Sequence, residues 1–325
     1  MHHDPRSFLA AILMSACLVP VIATAQSYPT KPIRVVIGYS AGGPTDVLGR
    51  LIALKASANM GQTMVVENRP GANSMIGTEY VAKATPDGYT LLLASIGHTV
   101  NPSFYGKVPY DAIKNFAPIT QVATLPLIMV VNPSLPVKSM QELISLAKAR
   151  PGQLTFGSAG NGSSPHLGME VFKSMAKVDM VHIPYKGNGP ALADVIAGQI
   201  PLMWYPVVGV AQNVAANRVR ALAIAATHRL AELPDVPTMS EIGFKNFEQS
   251  APWIGHLAPA GTSAEIVTRL HMEIVRTLSD AEVKDRMKTL GAVIVGSSPS
   301  DFAAFLRADL NKWADVIKAS GAKAN

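Results

Sequence analysis

Short apolar runs alternate along this chain with stretches whose apolar positions recur every three or four residues, so strands and amphipathic helices trade places almost throughout. Ile33 to Ile37 reads as a first strand, and after a glycine-rich turn Pro44 opens a helix with Val47, Leu48, Leu51, Ile52 and Leu54 on one face. Gly61 stops that helix, Thr63 to Glu67 forms a second strand, and the Asn68–Asn73 loop leads into another helix. The Pro86-Asp-Gly88 turn precedes a strand over Tyr89 to Ala94. Ser139-Met-Gln-Glu142 is a capping box for a helix ending at Pro151-Gly152, and strand Leu154 to Ser158 runs into the turn Ala159-Gly-Asn-Gly-Ser-Ser-Pro165 and a further helix. Strands near Met180–Pro184, Leu202–Tyr205 and Arg220–Ala225 follow, and helices over Ala264–Leu278, Asp280–Leu290 and Pro299–Ser320 complete the pattern, with Gly321 as the stop. Such alternation predicts an α/β fold with largely parallel sheets.

Two stretches break the βα rhythm. Ile119 to Val131 and Ser250 to Pro259 are extended, apolar and marked by prolines. They read as two crossings between two lobes: residues 28–122 plus 256–325 in one, and 123–255 in the other.

Phe8 to Ala25 is an apolar run ending in Ala23-Thr24-Ala25, with small residues where a signal peptidase needs them. Export with cleavage after Ala25 is expected. The alternative is a lipoprotein cut before Cys17, which fits less well because Met14 is a poor residue in that box and apolar sequence continues beyond it. Cleavage after Ala25 removes the one cysteine, which suits an oxidising compartment. No later apolar run approaches the length of a membrane span.

Composition narrows the function. Of 325 residues 48% are hydrophobic and 15% charged, which excludes a disordered or coiled-coil chain. The net charge of +6 comes from dispersed Lys and Arg without a basic stripe, so nucleic acid is not expected and small anions are favoured. No metal or cofactor is expected: the histidines lack ligand spacing, no Walker sequence occurs, and Gly157-x-x-Gly160-x-Gly162 has the wrong order for a dinucleotide turn.

Gly38-Tyr-Ser-Ala-Gly42 matches the nucleophile elbow of serine hydrolases, with Ser40 as nucleophile. That reading is the alternative, because only 14 residues would precede Ser40 after cleavage and no oxyanion-hole segment of the HGGG type exists. The backbone offers a better one. Gly42-Gly43-Pro44 places N–H groups at a helix N-terminus, where unpaired donors and the helix dipole favour an anion. The turn from Gly157 to Ser164 repeats this chemistry and adds the hydroxyls of Ser158, Ser163 and Ser164, with His98 and His166 beside these loops.

The chain resembles the Bug family, the periplasmic solute-binding proteins of tripartite tricarboxylate transporters, from about Tyr28 to Gly321. The resemblance is carried by Tyr28-Pro-x-Lys-Pro-Ile-Arg-Val-Val, Gly42-Gly43-Pro-Thr-Asp46, Val66-Glu-Asn-Arg-Pro-Gly-Ala72, Pro86-Asp-Gly-Tyr-Thr-Leu-Leu92, Pro184-Tyr-Lys-Gly187, Gly198-Gln199, Leu233-Pro-Asp-Val-Pro-Thr238 and Ala258-Pro-Ala-Gly261. It implies a type II periplasmic-binding fold, two α/β lobes joined by two connecting strands with the ligand closed between them. It also implies a monomeric receptor rather than an enzyme, delivering a small carboxylate to membrane permease subunits or to a sensor protein. Carried over, the ligand-binding residues are Tyr39, Ser40, Ala41, Gly42, Gly43 and Asp46 at the first turn, Asn73, Ser95 and Thr99 on neighbouring loops, and Gly160, Ser163, Ser164 and His166 at the second turn. After Gly198-Gln199 the family has two acids near the cleft where this chain has Pro201 and Tyr205. Tyrosine cannot pair with an ammonium, so a ligand without a positive group is expected. With Tyr39, Trp204, Tyr205 and Trp253 near the cleft, it would be a dicarboxylic or aromatic acid.

Overall fold

A computed structural model describes residues 28–320, so the expected leader, Cys17 and the stop at Gly321 lie outside the described residues. The first segment runs β1 (Ile33–Ile37), α1 (Pro44–Met60), β2 (Met64–Asn68), α2 (Met75–Ala82), β3 (Thr90–Ser95), α3 (Gly97–Phe104) and β4 (Phe116–Thr124). The middle of the chain gives β5 (Leu127–Val131), α4 (Met140–Ala149), β6 (Thr155–Ser158), α5 (Ser164–Ala176), β7 (Val181–Pro184), α6 (Asn188–Ala197), β8 (Leu202–Pro206), α7 (Ala211–Ala215) and β9 (Arg220–Ala225). The return is β10 (Trp253–Pro259), α8 (Ala264–Ser279), α9 (Ala281–Thr289), β11 (Val293–Ile294) and α10 (Pro299–Ser320).

Local chemistry sets these boundaries. Pro44 stands in the first turn of α1, and Gly61 ends it in the left-handed region at φ 66°. Ser139 caps α4 by accepting from the Glu142 N–H at 3.2 Å, while the Glu142 carboxylate accepts from the Lys138 N–H at 2.6 Å. Ser263 and Asp280 cap α8 and α9 in the same way.

Two sheets result. One has six strands in the order β11-β4-β10-β3-β1-β2, the other five in the order β7-β6-β8-β5-β9. The expectation of largely parallel sheets needs correction. β1, β2 and β3 are parallel, as are β6, β7 and β8, but β10 runs antiparallel to both β3 and β4, and β5 antiparallel to both β8 and β9. The crossings are the cause. β4 leaves the first sheet at Thr124 and β10 enters it at Trp253, and these two residues pair. A departing and a returning strand that share one exit must point in opposite directions. The six-stranded sheet therefore holds the chain to Thr124 and regains it at Trp253.

Each sheet is covered on both faces, so its central strands are apolar without interruption. In β1, Val35 and Ile37 pack with Leu48 and Ile52 of α1, while Val36 packs with Phe302 and Leu306 of α10. In β5, Leu127 and Met129 pack with Phe156, Phe172 and Trp204, while Ile128 and Val130 join Met203 and Tyr205 on the other side. A fifth cluster spans the lobes: Val100 and Phe104 of α3 and Trp313 of α10 meet Leu167 of α5. Among the described residues no helix is long and apolar enough to cross a membrane.

Candidate functional site

Three βα turns meet where the lobes face each other. β1 runs through Gly38–Gly43 into α1, β6 through Ala159–Ser163 into α5, and β7 through Tyr185–Gly187 into α6. Each turn contains glycine at positive φ (Gly42 at 77°, Gly160 at 117°, Gly162 at 73°, Gly187 at 154°), which lets the chain reverse sharply and leaves the following helix N-terminus open. An enclosed cavity of about 50 Å³ lies between them, with Gly43, Pro44 and Thr45 of the first, Ser163, Ser164 and Pro165 of the second and Gly187, Asn188 and Pro190 of the third in its wall. Larger hollows of about 550 and 460 Å³ lie behind the crossing strands and at the cleft mouth. Volume is a poor guide here, because only the small cavity gathers three helix N-termini.

Among the described residues, no Asp, Glu, Lys, Arg or His lines that cavity. Its polar surface is hydroxyl, carboxamide and backbone. Thr45, Ser95 and Ser164 are 8%, 5% and 5% exposed, and their hydroxyls make no hydrogen bond to another described group. Buried hydroxyls in folded proteins are ordinarily paired, so these three await a partner from the cavity. Each helix N-terminus contributes about 0.3–1 kcal/mol toward an anion, and does so without a counter-charge that would have to be desolvated.

The expected site residues separate into two groups. Tyr39, Ser40, Ala41, Gly43, Ser95, Ser163 and Ser164 line the cavity. Gly42, Asp46, Asn73, Thr99, Gly160, His166 and Tyr205 stand behind or beside it. Asp46 accepts the Gly42 N–H at 2.9 Å, the Asn68 amide at 2.9 Å and the Arg50 guanidinium at 3.0 Å. Burial alone would raise its carboxyl, but the hydrogen bonds from Arg50, Gly42 and Asn68 outweigh that and hold it below the usual range. Its charge is spent on shaping the first turn. Thr99 donates to the buried Asp309 carboxylate at 2.7 Å, which also accepts the Trp253 indole N–H at 2.8 Å and pairs with Lys312, tying α3 to α10. Tyr205, Trp204 and Trp253 are buried in lobe cores, so of the four aromatics expected near the cleft only Tyr39 touches the cavity.

Behind the second turn the rings of His166 and His182 stack at 4.0 Å, flanked by Phe104 and Phe156. His166 Nδ1 accepts the Gly162 N–H at 3.1 Å, which requires an unprotonated Nδ1. Burial, with Lys173 nearby, lowers His166 to about 4; burial, His166 and Lys173 lower His182 to about 3. His182 Nε2 is 2.6 Å from the Ser158 hydroxyl, which is itself buried and bonded to the Gly160 N–H, so Ser158 braces the turn rather than facing the cavity.

The lobes are closed on each other. Ser40 donates to the Lys186 carbonyl at 3.1 Å, and Asn73 donates to the Gly162 carbonyl at 2.9 Å. The carbonyl partner leaves Ser40 without a base, so the elbow motif lacks the group that would activate a nucleophile. Asn73 sits in a run of positive φ (Gly71 135°, Ala72 45°, Asn73 49°, Ser74 75°) and is fixed by Asn101 on both its backbone carbonyl and its side chain.

Sequence reasoning missed the third turn, with Gly187, Asn188 and Pro190. The signal was present: Gly187-Asn-Gly-Pro190 after a strand repeats the glycine-then-proline pattern of the other two. Leu125, Pro206 and Pro252, also in the wall, belong to the crossings and carry no binding chemistry that a sequence would reveal.

Two α/β lobes joined by crossing strands and closed over an uncharged, donor-lined cavity have the build of a solute-binding receptor. Residues 48–322 match the model of the tripartite tricarboxylate transporter family receptor, and the chain belongs to that periplasmic receptor family. It is 35% identical to Protein BugT of Bordetella pertussis, over 96% of both chains. Among solved structures it is similar to Rpa4515 of R. palustris with adipate (35% identity, TM-score 0.87, 90% and 98% of the two chains). A second similar structure is MatC of Rhodopseudomonas palustris with bound malate (31%, TM-score 0.84, 89% and 100%).

Proposed function

We propose that this receptor is exported, cut after Ala25, and captures a small carboxylate between its lobes for the permease subunits of a tripartite tricarboxylate transporter. The observation that carries the reading is the cavity where three helix N-termini and the unpaired hydroxyls of Thr45, Ser95 and Ser164 converge with no charged side chain. A carboxylate there gains donors from every side. An amino acid would bring an ammonium with no anion on the wall to meet it, a costly burial. Adipate and malate, bound by the two relatives, are of the matching chemistry. With three of the four expected aromatics in the lobe cores, a dicarboxylate fits better than an aromatic acid.

The test is a thermal-shift screen on mature protein stripped of carried-over ligand by unfolding and refolding. Ligand at 100 times its dissociation constant adds about 2.7 kcal/mol of stability. Stabilisation by mono- or dicarboxylates but not by the matching amino acids is the expected result. A panel silent except for amino acids would refute it.

A further inference from the structure

Asn188 sits in the cavity wall at the first turn of α6, and its carboxamide is unemployed. Its Oδ1 is sealed from solvent without a donor in reach, and its Nδ2 makes no hydrogen bond to any described group. The nearby asparagines are unlike it. Asn68, Asn73, Asn101 and Asn132 all use their amide nitrogens to fix other loops. Nor does Asn188 cap its helix, since the cap position is Gly187 and no side-chain cap bond forms. A buried carbonyl without a partner is destabilising, so a side chain kept in this state at a cavity wall is matched to something the cavity receives.

We propose that the Asn188 carboxamide selects a ligand carrying a hydroxyl beside its carboxylate, an inference that rests on the carboxylate reading above. The choice follows from what each ligand group can exchange with an amide. A carboxylate oxygen only accepts, so it satisfies Nδ2 and leaves Oδ1 facing another lone pair. An ammonium only donates, and it brings a charge that nothing on the wall neutralises. A methylene satisfies neither end. Once the amide turns about χ2 to bring Oδ1 to the cavity, a hydroxyl both donates to Oδ1 and accepts from Nδ2. The neighbouring hydroxyls of Thr45, Ser95 and Ser164 are then left for the carboxylate oxygens.

Malate, succinate and aspartate share one skeleton and place a hydroxyl, a hydrogen or an ammonium on the same carbon; 3-hydroxyadipate and adipate repeat the first comparison on a longer chain. Calorimetric titration of the unmodified mature protein with all five, and of Asn188→Ala and Asn188→Leu, reads the proposal directly. The hydroxylated member of a pair is expected to bind at least tenfold more tightly than the member lacking it, with aspartate weakest. Both variants are expected to bring each hydroxyl-to-hydrogen ratio within about threefold while still binding succinate or adipate. Equal binding of the hydroxylated and plain acids by the unmodified protein, or a preference that survives in both variants, overturns the role of Asn188 and leaves the carboxylate reading standing. Failure of every carboxylate to bind overturns that reading itself.

Discussion

The first and second turns present the same backbone geometry to the cavity but are braced by opposite protonation states. The first depends on an ionised group, Asp46, which accepts from Gly42, Asn68 and Arg50. The second depends on a neutral one, His166, whose Nδ1 accepts from Gly162 with His182 stacked behind it. Either acceptor can hold a glycine N–H in place. They differ in where acid begins to weigh against them: the histidine brace loses stability from about pH 6.5 downward, as the imidazoles of the unfolded chain take up protons, whereas the Asp46 brace is untouched until the ordinary carboxyl range.

Removing the ionised brace is the most disruptive way to test this. Asp46→Ala leaves the Gly42 N–H and the Asn68 amide without their acceptor and Arg50 without its partner. Because Arg50 is half exposed and water can solvate it, the expected loss is at the low end for a buried ion pair, about 2–3 kcal/mol. Urea unfolding reads it, and loss of carboxylate binding should accompany it. A loss below about 0.5 kcal/mol would mean that the turn holds its shape without the carboxylate.

Acid separates the two braces without mutation. His98, His166 and His256 are lowered to about 4 and His182 to about 3, all mainly by burial, against an unfolded value near 6.5. Between those limits the unfolded chain binds more protons, so stability rises with pH; the contribution is complete above about 6.5 and falls away toward 4. The slope is up to about 1.4 kcal/mol per pH unit for each such histidine. Asp46 has the same sign in a lower window: its contribution is present above the ordinary carboxyl value and fades only as pH drops through its lowered one. Urea midpoints taken from pH 7 down to pH 4.5 should therefore fall in the unmodified protein and fall less steeply in His166→Gln. Parallel curves for the two would remove His166 from the account.

The smallest effect concerns how the turns are brought together. Asn73 links the lobes through one hydrogen bond to the Gly162 carbonyl, from a backbone at φ 49°. Asn73→Gly deletes that bond while tolerating the left-handed backbone, and should weaken carboxylate binding about fivefold, the worth of about 1 kcal/mol. Unchanged affinity by titration would show that this bond does not favour the closed form.

The elements of this fold were legible because each lobe buries both faces of its sheet: β1, β3 and β5 announce themselves as apolar runs, and Ser139, Pro44 and Gly61 mark helix ends. Strand direction was not legible. Whether β10 runs with or against β3 depends on its returning from the other lobe, a fact absent from its own seven residues. The first two turns were read from their glycines and prolines, and the third carries the same mark. Side-chain roles were harder. Asp46, Thr99 and Tyr205 have polar groups suited to a ligand, but the structure turns Asp46 to Arg50, Thr99 to Asp309 and Tyr205 into the core, and these placements depend on residues up to 210 positions away. Helix α3, Gly97–Phe104, with Pro102 inside it, was likewise not read from the sequence.

The uncharged wall has a consequence for what occupancy can report. With no group on the wall that gains or loses a proton near neutrality, the Tyr39 phenol being raised further by burial, nothing at the point of contact distorts the count as the surroundings turn mildly acid or alkaline. The fraction of filled receptors then gauges the abundance of one ionic form of the solute, set by that solute's own acidity. Such a gauge stays calibrated until the histidines behind the second turn begin to charge, and it is this lower limit that would bound the habitat over which the reading holds.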